Sequence, residues 1–89
     1  MTRLGYQIPN FTYPGVAPEA IFENVVAQAK AAEAAGYDRI FVMDHFYQLP
    51  GIGAPEEPMF ECYGMLSALA QHTERVRLSA LVTGNTYRN

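Results

Sequence analysis

Four apolar residues, Ile40-Phe41-Val42-Met43, run without interruption into an acid and an imidazole, Asp44-His45, and then into Phe46-Tyr47. A run of this kind, led in by Gly36-Tyr37-Asp38 and followed by a Gly/Pro-rich segment, has the pattern of a central strand in a parallel sheet covered on both faces. The end of the run is polar, and parallel α/β folds bind their ligands at the carboxyl ends of strands. Asp44 and His45 are therefore the first candidates for chemistry. The same pair also admits a structural role, in which Asp44 caps a loop and His45 is a satisfied, half-buried imidazole.

Around this strand the chain alternates in type. Leu4, Tyr6 and Ile8 alternate with Gly5 and Gln7, which predicts a first strand closed by Pro9-Asn10. Gly5 implies close packing against that strand. Pro9 to Ala17 mixes turn formers with Phe11, Tyr13 and Val16, the composition of a structured loop that lines something. Pro18-Glu19 suits the first turn of a helix. Ile21, Phe22, Val25, Val26, Ala29, Ala32 and Ala35 then recur at helical spacing, and Gly36 supplies the stop. The expectation is one amphipathic helix of about five turns.

The second strand is expected at Arg39 to Met43. Asp44 to Pro58, with Pro50, Gly51, Gly53, Pro55 and Pro58, reads as a long loop. Met59 to Thr73 returns to helical character, with Phe60, Tyr63, Leu66, Leu69 and Ala70 on one face and Cys62 and Met65 widening it. His72 falls in the last turn of that helix, where a structural role is expected. A third strand, Val76 to Val82, leads into Thr83-Gly84 and the segment ending at Asn89. Loops after strands are long and those after helices short, so one rim, holding Pro9-Asn10, Asp44-His45 and Thr83-Gly84, is free to build a site.

Composition excludes several partners. The 89 residues, with net charge −3 and 49% hydrophobic residues, have the composition of ordinary globular protein and hold one domain at most, 1–89 being read as the N-terminal part of a single domain. The six Lys and Arg are scattered, so neither nucleic acid nor a membrane surface is expected as a partner. No apolar run is long enough to span a bilayer, and Met1-Thr2-Arg3 leads into a strand and not a signal-peptide core, so a cytoplasmic protein is expected. Cys62, the single cysteine, has no internal disulfide partner and reads as a small apolar filler within a helix. With two histidines and no His-x-His after the first strand, no metal site is expected, and Cys62 has no base nearby in sequence to make it a nucleophile.

The order strand, helix, strand, helix, strand calls for right-handed crossovers between parallel neighbours. A dinucleotide-binding sheet would carry Gly-rich phosphate chemistry after its first strand, and Ile8-Pro9-Asn10-Phe11-Thr12-Tyr13-Pro14-Gly15 has none. The fold class expected is α/β, the N-terminal β-α-β-α-β portion of a (β/α)₈ TIM barrel, whose usual length is ~250 residues. On that reading Asn89 stops in mid-loop. A three-stranded sheet with two open edges and strands apolar on both faces is expected to seek a partner, so these 89 residues are not expected to make a stable monomer as isolated. The complete protein is expected to act on a small-molecule substrate as a homo-oligomer.

Three stretches resemble one family, the bacterial luciferase-like flavin and deazaflavin oxidoreductases. Leu4-Gly5-Tyr6-Gln7-Ile8-Pro9-Asn10 is similar to that family's first strand and lining loop. Ala31 to Phe46 resembles its helix-to-second-strand passage, and Arg75 to Asn89 its third strand and following loop. The resemblance implies a TIM barrel that holds a flavin or coenzyme F420 at its carboxyl rim and passes hydride to or from a small organic substrate. Met43-Asp44-His45-Phe46 resembles the second-strand end of the deazaflavin branch more than the Glu-His-His-like end of flavin enzymes. Coenzyme F420 is therefore the expected cofactor and FMN, in a luciferase-like monooxygenase, the alternative. A non-catalytic binding or structural α/β domain is the alternative of another class. Leu49 stands where the matching glucose-6-phosphate dehydrogenases of that branch have tryptophan, a departure that bears on substrate.

The resemblance further implies a catalytic His45, an imidazole being suited to proton transfer. It implies cofactor binding by Asp44 and by Ala80, Leu81, Val82 and Thr83 at the third strand's end. A non-proline cis peptide in the relatives lies at that end, and matching Thr83 places it at Ala80-Leu81.

Overall fold

The structure, a computed structural model, describes residues 2–84. Met1 and the last stretch of the third matching segment, Asn85 to Asn89, lie outside the described residues. Three strands, β1 (Gly5–Ile8), β2 (Arg39–Val42) and β3 (Arg77–Ala80), form one parallel sheet in the order β1-β2-β3. Two helices, α1 (Ile21–Ala34) and α2 (Cys62–Ala70), connect them. This is the expected α/β arrangement, consistent with the opening β-α-β-α-β portion of a (β/α)₈ barrel.

Side-chain alternation decides which way the sheet faces. Ile8, Ile40 and Val42 are buried with Val25, Ala29 and Ala32 of α1 and with Cys62, Met65 and Leu69 of α2 in a single core, and Tyr6, Leu78 and Ala80 pack against it. Both helices therefore lie on one face, as successive crossovers of a barrel do, where a doubly wound sheet would use both. This corrects the expectation that the strands are apolar and covered on both faces. The opposite face carries Gly5, Arg39 and Arg77 in one row and Gln7, Phe41 and Ser79 in the next. Arg39 Nη1 donates to Ser79 Oγ across that face at 2.8 Å. Phe41, the one large apolar group there, lies over Gly5, which is why that strand position has no side chain.

The elements are shorter than their apolar patterns. The Pro18–Ala20 segment is a separate 3-10 turn, and the α-helix begins at Ile21. At the far end Gly36 adopts φ +94°, and the Tyr37 amide closes back on the Ala32 carbonyl at 3.1 Å, a glycine-dependent stop that leaves Ala35 exposed and not on the buried stripe. Helix α2 starts three residues later than expected because Glu61 is extended (φ −62°, ψ 126°) and its carboxylate accepts the Tyr63 and Gly64 amides. Cys62 thus opens the helix and is not in its interior. The buried stripe is Cys62, Met65 and Leu69, while Tyr63 and Ala70 are exposed and Phe60 precedes the helix. His72 lies beyond the helix, its ring 6.0 Å from that of Phe22. No helix among the described residues is long and apolar enough to cross a membrane.

Entry into β3 is fixed by one carboxylate. Glu33 Oε2, in the last turn of α1, accepts the amides of Glu74 at 2.9 Å, of Arg75, and of Val76 at 2.9 Å. These bonds, to Arg75 and Val76 above all, hold the Glu33 carboxyl below the ordinary carboxylate range. A carboxylate with a lowered folded-state pKa stabilises in full above its unfolded pKa, and that stabilisation disappears as pH falls through the folded value. Wild-type protein is therefore expected to exceed Glu33→Gln in chemical-denaturation midpoint at about pH 7, with the gap closing below about pH 4. Independently, a Cβ at residue 5 would lie 2.5 Å from Phe41 Cε2. Gly5→Ala should displace the ring and lower unfolding free energy by about 1–3 kcal/mol in denaturant titration.

Candidate functional site at the carboxyl rim

All three strands point their carboxyl ends to one rim, and three loops meet there. The loop after β1 is held from below by Phe11, 2% exposed, whose ring meets Phe60 edge-on at 4.8 Å. Tyr13 Oη donates to the Asn10 carbonyl at 2.8 Å, and burial pushes its phenol up, so it stays neutral and remains a donor. The loop after β2 is stitched to the first by Gln48. This buried amide donates through Nε2 to the Pro9 carbonyl at 3.0 Å and accepts the Leu49 amide on Oε1 at 2.8 Å.

Beyond the last ladder residue of β2, Met43 and Asp44 are still buried and His45 is exposed. The β3 chain stays alongside, since the Leu81 amide donates to the Val42 carbonyl at 2.8 Å. Two residues further than Val42, the Asp44 carboxylate replaces the main chain as acceptor, taking the Gly84 amide on Oδ2 at 2.6 Å. Next to it Thr83 Oγ1 shares a hydrogen bond with Tyr63 Oη in the first turn of α2. A small cleft of about 140 Å³ opens beside the pair, walled by Asp44, His45, Phe46, Met59, Phe60, Glu61 and Cys62. Cys62 Sγ reaches toward the Val42 carbonyl at 3.8 Å.

The residues singled out in the sequence are partly brought together. Asp44, His45 and Thr83 share the rim, and Leu81 and Val82 are exposed there. Ala80 pairs with Val42 in the ladder and turns its side chain to the helices. The cis peptide lies at Leu81-Val82, one residue beyond the expected Ala80-Leu81. Expected as a half-buried imidazole in the structural alternative, His45 is exposed, while Asp44 does cap a loop as that alternative has it.

Gln48, Glu61 and Tyr63 escaped the sequence reading. Gln48 sits in a stretch dominated by Gly and Pro, and Tyr63 falls on a helical stripe that looks apolar, so neither departs from its local pattern. The usable signal was the polarity of Tyr63 at the end of a helix that must face a strand terminus. Among the described residues no group of three His, Cys, Asp or Glu side chains is placed to hold a metal ion.

Residues 2–89 match a family model described as luciferase-like monooxygenase. No curated protein matches the chain significantly.

Gln48→Ala removes a buried amide and leaves the Pro9 carbonyl without that donor. The expected cost is ~1–3 kcal/mol in unfolding free energy, with faster proteolytic cleavage between β2 and α2 as the local sign.

Proposed function

The chain belongs to the luciferase-like monooxygenase family, whose general activity is oxidoreduction, and from that premise we propose that it serves coenzyme F420-dependent hydride transfer with a small organic substrate. The observation that carries this reading is the join of the acid–imidazole pair to the third strand's exit. Asp44 reaches Gly84, so an exposed imidazole and the exposed Leu81 and Val82 occupy one rim. The Met43-Asp44-His45-Phe46 sequence supports the deazaflavin and not the flavin.

The residues fit such a group chemically. A flat ring with apolar faces and polar edges suits a surface where Leu81 is 39% and Val82 68% exposed next to a carboxylate-anchored turn. When bound, the coenzyme supplies the hydride donor or acceptor, and the protein supplies orientation and proton handling. His45 is the catalytic residue, holding or releasing a proton at a ring nitrogen as charge changes beside it. Asp44 together with the Ala80 to Thr83 main chain forms the cofactor side of the rim. Phe46 and Tyr47, 70% and 71% exposed, supply apolar surface against which water is excluded once cofactor and substrate are seated.

Fluorescence titration of the full-length protein with F420 and with FMN tests the reading. Micromolar binding of F420 and weaker binding of FMN is the expected outcome, the reverse order favours a flavin monooxygenase, and binding of neither leaves a non-catalytic domain. His45→Asn should lower turnover by ~10²–10⁴-fold with cofactor affinity little changed. A structural histidine would instead lower stability and leave activity per folded molecule intact.

A further inference from the structure

The turn that leaves β3 is held at two consecutive residues by two different elements. Asp44, at the end of β2, accepts the Gly84 amide at 2.6 Å, and Tyr63, on α2, bonds the Thr83 hydroxyl. Asp44 is 4% exposed, so its carboxylate is fixed by its surroundings, while Tyr63 is 42% exposed and reaches the turn from the solvent side. Tyr63 is itself held, because its amide and that of Gly64 are capped by Glu61. Between these anchors and the last ladder bond, from the Leu81 amide to the Val42 carbonyl, lie only Val82 and the link to Thr83. Two side chains thus over-determine the segment that presents Leu81 and Val82 at the rim.

We infer that Asp44 and Tyr63 act as one clamp, and that Tyr63 is a positioning residue for the cofactor surface though it belongs to a helix outside the strand ends. The inference rests on the functional reading above for its consequence and on the hydrogen bonds alone for the clamp. A turn tied at neighbouring residues opens only when both ties loosen, so loss of one is felt at the other. Asp44 then contributes to cofactor binding through the main chain it holds. This separates its role from that of His45, whose exposed ring is free of such duty toward the turn.

Two readouts on the full-length protein test this. Amide exchange of Gly84, followed by NMR, should quicken about tenfold in Tyr63→Phe although the Asp44 carboxylate is untouched, since one lost hydrogen bond has that order of effect. Thr83→Val removes the same bond from the other side and should reproduce the change. Asp44→Asn keeps an acceptor oxygen and should exchange more slowly than Asp44→Ala. In parallel, the dissociation constant for F420 should rise several-fold in Tyr63→Phe and in Thr83→Val, with thermal unfolding confirming that both variants fold. Unchanged Gly84 exchange in both variants overturns the clamp, and faster exchange with an unchanged dissociation constant overturns the positioning role. Wild-type protein that binds neither F420 nor FMN overturns the functional reading, and the Gly84 exchange then decides the clamp by itself.

Discussion

The packing of β2 between its two neighbours, with one face only against the helices, is the constraint on which the rest depends. Ile40 and Val42 are the buried pivot of a core that receives α1 and α2 together, and the intervening Arg39 and Phe41 are thereby sent to the other face. Period-2 geometry allows no compromise here, because a one-residue slip would bury Arg39 and expose Ile40. Once the register is fixed, Gly5 must lie under Phe41 and Ser79 within reach of Arg39. The strand ends then come level at one rim. The second face, bearing Gln7, Arg39, Arg77 and Ser79, is polar where the face under the helices is apolar.

β3 is the strand without a fully buried residue, and both of its ends are tied by carboxylates. Glu33 gathers three successive amides before the strand, and Asp44 takes one amide after it. Backbone amides that have left a ladder must find an acceptor, and an ionised carboxylate is the strongest one available from a side chain. The two anchors differ in consequence. Glu33 sits at the return rim, where fixing the chain only aids folding. Asp44 sits where the chain presents Leu81 and Val82, so the same physical device becomes part of the candidate site.

How far the sequence reveals this follows from which signals are local. The strand β2, the acid–imidazole at its end and the glycine stop at Gly36 each depend on neighbours in the chain, and each stands where its pattern puts it. The buried stripe of α2 does not, because Phe60, Tyr63, Leu66 and Ala70 match helical spacing as well as Cys62, Met65 and Leu69 do. Tertiary context chose between them, through Glu61 setting the start and Thr83 drawing Tyr63 outward. One-sided burial of the sheet was equally hidden, since Phe41 makes the β2 run look uniformly apolar while its true neighbour is the bare backbone of Gly5. The family resemblance supplied the cis peptide, and a one-residue offset at the strand end moved it from Ala80-Leu81 to Leu81-Val82.

The two members of the acid–imidazole pair differ in environment, and on the proposed function that difference lets one rim be both rigid and reactive. A group that must exchange protons needs access, and a group that sets geometry needs a fixed environment. Adjacent residues leaving a strand turn to opposite sides, so a single dipeptide meets both needs: Asp44 turns into the protein toward Gly84, and His45 turns out. The loops complete the division. Phe11 and Gln48 hold the first two loops from beneath with buried contacts, while Phe46 and Tyr47 are exposed at the outer surface. On the proposed function, substrate preference would be set by these exposed side chains and not by the anchors below them.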